Sequence, residues 1–233
     1  MVQVSVPHVT VRIKFHKIGG LQYISHLDLV RTMHKIIVRS KLPLWYTEGF
    51  NPKPKMVFAA PLSIGTESKC EYMDLRLTER VPEEEVKAML NKNLTDEMQV
   101  IEAYYPETKL TDLKWFYYTI SISTKGANKA LAAKCEELLN SDNIEIEKKT
   151  KPGEPSKTAN IAPLIRCANV VFKDGEIIIN CALSADQSCF LNPEYVIKAL
   201  KKYCGVLSSE NLLEEYYGIV RNAAYREDMS EFH

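Results

Sequence analysis

This sequence predicts an α+β fold with antiparallel sheets. Three observations predict it: two-residue alternation at Val9–Lys17 and again at Trp115–Ser123, a helical stretch after each, and the same order of elements in both halves. In the first strand Val9, Val11, Ile13 and Phe15 alternate with Thr10, Arg12, Lys14 and His16, so one side is apolar and the other basic. Gly19 and Gly20 then turn the chain. Ser25 is placed to cap a helix over 26–40, with Asp28 three residues on as the short form of a capping box and Ile24 and Leu29 as its staple. Leu27, Val30, Met33 and Ile37 read as the buried stripe of that helix, and Asp28, Arg31, Lys35 and Arg39 line another face.

An extended piece at 44–46 precedes a basic proline loop, and strands over 55–62 and 71–78 read as a hairpin closed by 63–69. Pro82 opens a helix over 83–94, with acids in the first turn where the helix dipole favours them, and a strand over 98–105 ends the unit. The order βαββαβ, folded compactly, is the ferredoxin-like plait: two helices on one side of an antiparallel sheet. The second half repeats it, with a strand at 115–123, a helix at 127–140 and an extended piece at 143–149. A hairpin of 168–173 and 176–183 about Asp174-Gly175 follows, then a helix from Pro193 capped by Asn192, and a strand over 215–221. The expectation is two tandem ferredoxin-like plaits, 1–107 and 108–233, joined near 106–113. Each carries a basic loop after its first helix, NPKPK in one and KKTKPGEPSK in the other.

With 233 residues, 45% of them hydrophobic, the chain can bury a substantial core. No apolar run approaches the roughly 18 residues of a membrane span, and the first ten residues lack the pattern of a secretory signal, so the expected location is cytoplasmic. Six cysteines are scattered without a C-x-x-C pair, which argues against a zinc site or an iron–sulfur cluster; no cofactor is expected. Thirty basic residues balance thirty acidic ones, yet they are segregated. Between His8 and Ala60 nine bases face two acids, and between Lys148 and Lys173 six bases face Glu154 alone. Attraction to a polyanion depends on local potential, and this pattern supplies it twice.

The residues expected to meet a nucleic acid follow from that segregation. Pro52 and Pro54 hold the NPKPK run near polyproline II, so Asn51, Lys53 and Lys55 are presented with little chain entropy left to lose. Lys148, Lys149 and Lys151 occupy the equivalent loop, and Arg12, Lys14, Arg31, Lys35 and Arg221 extend the track. Arg12, Lys14 and His16 are expected to share a helix-free face with Tyr72 and Arg76, the combination of cations and an aromatic with which open sheets grip single-stranded RNA. His26 lies in the first turn of its helix, where the positive end of the dipole favours a neutral imidazole that can act as a base. No metal set accompanies it, since His16, His26 and His34 lack i, i+4 pairing, and no catalytic residue is assigned.

The wording ISHLDLVRTM followed by GFNPKPKMVFAAPLSIGTESKCEYMDL resembles the radical SAM-linked proteins, an uncharacterised family fused to, or encoded beside, radical S-adenosylmethionine enzymes. The likeness is sharpest from Val11 to Leu77 and continues, more weakly, at Ile219 to Arg221. It implies a radical SAM enzyme as partner and no catalytic residues to carry over. The chain has no C-x-x-x-C-x-x-C motif, so that enzyme is expected on a separate chain. The leading expectation is therefore an RNA-binding accessory protein that presents structured RNA, tRNA or rRNA, to a modifying enzyme. One alternative is a protein-only adaptor of the radical enzyme. Another is a metal-independent endoribonuclease, since tandem plaits with a helix-borne histidine resemble the CRISPR RNA-processing nucleases. In that case His26 would be the base and Lys55 would stabilise the phosphorane, although those nucleases' glycine-rich loop is missing here.

Overall fold

A computed structural model describes residues 7–148, 157–209, 211 and 213–233. They form a mixed α+β protein with four α-helices and multistranded antiparallel sheet. The chain divides into two compact units, Met1–Leu113 with His233, and Lys114–Phe232. The division falls at the end of the joining segment expected over 106–113, and Thr108 in that segment is tied to unit 1: its hydroxyl and carbonyl both accept hydrogen bonds from Arg12 on the first strand, at 2.9 and 3.0 Å.

Unit 1 runs β1 (Val9–Lys17), α1 (His26–Arg39), β2 (Met56–Phe58), β3 (Thr66–Leu77), α2 (Glu83–Asn91) and β4 (Val100–Tyr104). Its strands lie in the order β4-β1-β3-β2, antiparallel throughout. Register decides the faces: Leu75 sits between Val11 and Met56, and Met73 between Ile13 and Phe58, on the apolar side. Arg12 opposite Asp74 and Lys14 opposite Tyr72 lie on the polar side. β2 is only three residues long because prolines at 54 and 61, which lack an N–H for the ladder, bracket it. β3 begins earlier than its pattern foretold. Thr66, Ser68 and Cys70 are buried in the strand, and Ser68 pairs with Lys17, so a polar segment read as a turn belongs to the sheet.

Ser25 caps α1 as expected: its hydroxyl accepts from the Asp28 N–H at 3.1 Å and donates to the Asp28 carboxylate at 2.7 Å. The buried stripe is Leu29, Met33, Ile36 and Ile37 rather than Leu27, Val30, Met33 and Ile37, and Leu27 is 57% exposed. Both sets fit a helical period. The phase is chosen by contact with the apolar sheet face and with Val86 and Leu90 of α2, all members of one core.

Unit 2 runs β5 (Trp115–Ser123), α3 (Lys129–Leu139), β6 (Glu145–Lys148), β7 (Lys157–Asn160), β8 (Ile165–Lys173), β9 (Glu176–Ser184), α4 (Glu194–Cys204) and β10 (Tyr216–Tyr225). The sheet order β10-β5-β9-β8 is again antiparallel, and β6 and β7 form a separate two-stranded hairpin between α3 and β8. Asp174 and Gly175 both have positive φ, 52° and 86°, as a tight β8–β9 turn requires. Asn128 caps α3 by accepting from the Leu131 N–H at 2.9 Å, and Asn192 accepts from the Glu194 N–H at 2.9 Å ahead of α4. The segment leading into β10 is fixed by Glu215. Its buried carboxylate accepts from the Thr124 hydroxyl and from the N–H groups of Lys125 and Ser209.

Two outcomes test this packing. Leu29→Ala should destabilise by about 2–5 kcal/mol in urea unfolding, as loss of a core leucine does, whereas Leu27→Ala should change stability by less than about 0.5 kcal/mol. The hydrogen bond from Thr124, with those from Ser209 and Lys125, holds the Glu215 carboxyl below its ordinary 4.5. A depressed carboxyl stabilises the fold fully above that ordinary value and loses its contribution as the pH falls through the lower folded value. Stability measured from pH 6 downward should therefore decline less steeply in Glu215→Gln than in the parent.

Candidate nucleic-acid interface

Between α1 and β2 the chain makes an irregular hairpin. Leu44 bridges to Leu77 on β3, and Tyr46 bridges to Pro54 across the hairpin. The Trp45 N–H donates to the Arg76 carbonyl at 3.0 Å, the Arg76 N–H donates to the Lys55 carbonyl at 3.0 Å, and the Lys55 N–H donates to the Trp45 carbonyl at 3.1 Å. Nearer the apex, the Thr47 N–H donates to the Lys53 carbonyl at 2.9 Å, and the Lys53 N–H donates to the Thr47 hydroxyl at 3.1 Å. The apex Glu48–Pro52 passes through Gly49 at φ 119°, a backbone that only glycine adopts without strain. Lysines and prolines thus sit on a hydrogen-bonded arm of the sheet, and NPKPK is more ordered than a loop held by prolines alone.

This arm gathers more than its lysines. Asn51 and Lys53 are exposed, Lys55 is half-buried, and Pro54 is buried. At its base the Arg76 guanidinium lies 5.5 Å from the centre of the Trp45 ring, and His8 packs against the same ring at 5.2 Å. Tyr46 is exposed, and Phe50 at the apex is fully exposed. Sequence reasoning missed Trp45, Tyr46 and Phe50. Aromatic residues in a segment without periodicity carry no signal of exposure; the one available hint was their position around a glycine and two prolines.

The other expected residues divide by burial. Arg31 and Lys35 are exposed on α1, where Arg31 bonds Asp28 at 3.3 Å. Lys14 is half-buried, its ammonium 5.8 Å from the centre of the Tyr72 ring. Arg12 corrects the expectation of an open basic sheet face: it is 0% exposed, and its guanidinium donates to both Asp74 carboxylate oxygens, at 2.7 and 3.0 Å, and to Thr108. Tyr72 on the same face is buried as well. Arg221 is also removed from the track, being 1% exposed on β10, where it pairs with Tyr118 of β5. Its Nε donates to the Tyr118 hydroxyl at 3.0 Å and its charge lies 3.8 Å from the centre of the Phe116 ring. Lys148 ends β6, while Lys149, Lys151 and the rest of the loop from 149 to 156 lie outside the described residues.

His26 opens α1 and lies against β2. The His26 ring packs edge-on against Phe58 at 5.5 Å, and its Nδ1 is buried without a hydrogen-bond partner among the described residues. Among the described residues no group of three or more His, Cys, Asp or Glu side chains is placed to hold a metal ion, and no helix is long and apolar enough to cross a membrane.

A mixed α+β protein with a braced cationic hairpin is the class that these observations define. By comparison with known families, residues 10–193 match the model of DUF2344, described as an uncharacterised protein conserved in bacteria, and the chain belongs to that family. No curated protein matches it. A solved structure entitled a Cbf5-Nop10-Gar1 complex is similar at 12% identity and a TM-score of 0.47, over 94% of this chain and 50% of that one; the chain thus spans about half the length of that relative, and the likeness is too remote to bear on function.

Burial separates structural from surface cations, and unfolding measurements can read the difference. Arg12→Met leaves the Asp74 carboxylate without its bidentate partner and should cost about 3 kcal/mol, whereas Lys53→Gln should stay within about 0.5 kcal/mol of the parent.

Proposed function

We propose that this protein is an RNA-binding accessory protein that presents structured RNA to a radical SAM modifying enzyme carried on another chain, and that each unit is a ferredoxin-like plait. The strand orders β4-β1-β3-β2 and β10-β5-β9-β8, with helices after the first and third strands of each sheet, support the plaits. The observation that carries the RNA reading is the 44–55 hairpin: exposed Lys53 and Asn51 on a hydrogen-bonded arm, with Trp45 and Arg76 stacked at its base. Fixed cations beside aromatic rings suit a phosphodiester chain, because phosphate attraction and base stacking act together. Exposed Arg31 and Lys35 on α1 add to the positive field of the unit. The resemblance of Val11 to Leu77 to radical SAM-linked proteins supports the choice of partner enzyme.

The adaptor reading has its own observation. Tyr23, Leu27 and Ile64 are exposed, and the Gly65 N–H donates to the Gln22 carbonyl at 3.0 Å, which brings the loop of Ile64 to the residues just before α1. An apolar patch of this kind suits a protein partner and is compatible with RNA on the hairpin.

Binding of the purified protein to tRNA and to rRNA fragments across a salt series tests the proposal. Affinity should fall steeply with salt, and Lys53→Gln with Lys55→Gln should flatten the log–log slope by about one for each phosphate no longer neutralised. Binding that is absent, or insensitive to salt, would reject it.

A further inference from the structure

We infer that the hairpin apex stacks a single unpaired base of the RNA on Phe50, so that the ligand is a loop or single strand rather than continuous duplex; this rests on the RNA reading above and assigns the ring a role the lysines cannot fill. Phe50 is fully exposed at the centre of the Glu48–Pro52 apex. It is not a frayed residue: the apex is closed by the reciprocal Thr47–Lys53 hydrogen bonds, and Gly49 sets the turn with no heavy atom within 4 Å of where its Cβ would stand. A phenyl ring exposed on a hydrogen-bonded turn offers both faces to a planar ligand.

The groups around it specify which planar ligand. Asn51, next in the chain, is exposed, and its side-chain amide makes no hydrogen bond among the described residues, so it retains the donor and acceptor needed to meet a base edge. Lys53 lies two residues further with its ammonium exposed, within reach of a phosphate flanking a base stacked on Phe50. Tyr46, exposed on the facing arm, supplies a second ring. Ring, amide and ammonium in this order match base, base edge and phosphate of one splayed nucleotide, the element that RNA-binding proteins read in loops and bulges. A continuous duplex shows its base faces to no ring, so the same apex would touch only its backbone.

The test compares an RNA stem-loop with the same stem closed into continuous duplex, using the full chain and the variants Phe50→Ala, Phe50→Leu, Phe50→Trp and Lys53→Gln, each checked for parental thermal unfolding. The stem-loop should bind more tightly than the duplex. Phe50→Ala and Phe50→Leu should each weaken stem-loop binding by about tenfold, near the lower end of what stacking one base contributes, with the salt slope unchanged. Phe50→Trp should retain affinity, because a larger ring still stacks. If Phe50→Ala binds the stem-loop as the parent does while Lys53→Gln weakens it, the stacking inference is overturned and the RNA reading stands. If Phe50→Leu retains parental affinity, the contact is apolar rather than stacking and the inference again fails. No binding of the parent to either RNA removes both.

Discussion

The backbone of Arg76 holds the cationic hairpin together. Its carbonyl takes the Trp45 N–H and its own N–H goes to the Lys55 carbonyl, so one residue of β3 clamps both arms of the cationic hairpin. Without that clamp the hairpin would keep only its own cross-arm bonds and lose its tie to the sheet, and ordering its residues around a ligand would cost roughly 1–2 kcal/mol for each residue fixed. With it, most of that entropy is lost on folding, and ligand attraction is not reduced by it on binding. The same residue adds its guanidinium to the Trp45 ring, tying side chain as well as backbone to the base of the arm.

Charge in unit 1 is sorted by desolvation. Arg12 and Lys17, both on β1, are buried, and each is bonded within the unit: Arg12 to Asp74 and Thr108, Lys17 to the carbonyls of Leu21 and Gln22. A buried cation must have such partners, because removing it from water without them costs several kcal/mol. Arg31, Lys35 and Arg39 on α1 and Lys53 on the hairpin remain exposed, as do Lys69 on β3 and Arg80, Lys92 and Lys109 elsewhere in the unit. The Arg31–Asp28 pair is solvent-exposed on both sides, so it contributes little and leaves Arg31 able to exchange its partner for a phosphate. α1 and the hairpin thus present exposed cations, whereas Arg12 on the sheet face is buried and Lys14 half-buried.

That misplacement marks what sequence can and cannot carry. Alternation at Val9–Lys17 and Trp115–Ser123, the Ser25 cap, the Asp174-Gly175 turn and the element order are local properties, and each was readable because backbone geometry dictates it. Alternation assigned Arg12 to the polar face correctly, but it contains nothing about what covers that face, and Thr108, distant in sequence, covers it. The stripe of α1 failed for a related reason: two phases fit the period, and the partner surface selects one. Thr66 and Ser68 carry the polar signal of a turn, yet both are buried in β3, with Ser68 opposite Lys17 of β1. Phe50 was invisible because the exposure of a single aromatic residue is decided wholly by the shape of its loop.

Both units place a hairpin at the same point of the element order. In unit 1 it is the Leu44–Lys55 arm, and in unit 2 it is β6–β7, which stands outside its four-stranded sheet. The second is anchored by buried Ile144 and Ile146 and by Tyr203 of α4, whose hydroxyl donates to the Glu145 carbonyl at 2.8 Å. In unit 1 the sheet order is complete without the residues at the hairpin apex, so packing imposes little on their identity. Residues released from packing are ordinarily polar and small at a turn. At the first apex the chain instead carries an exposed phenylalanine between a glycine and an Asn-Pro-Lys run. Neither turn geometry nor the core asks for that ring, and a planar ligand beside a phosphate is a physical demand that does.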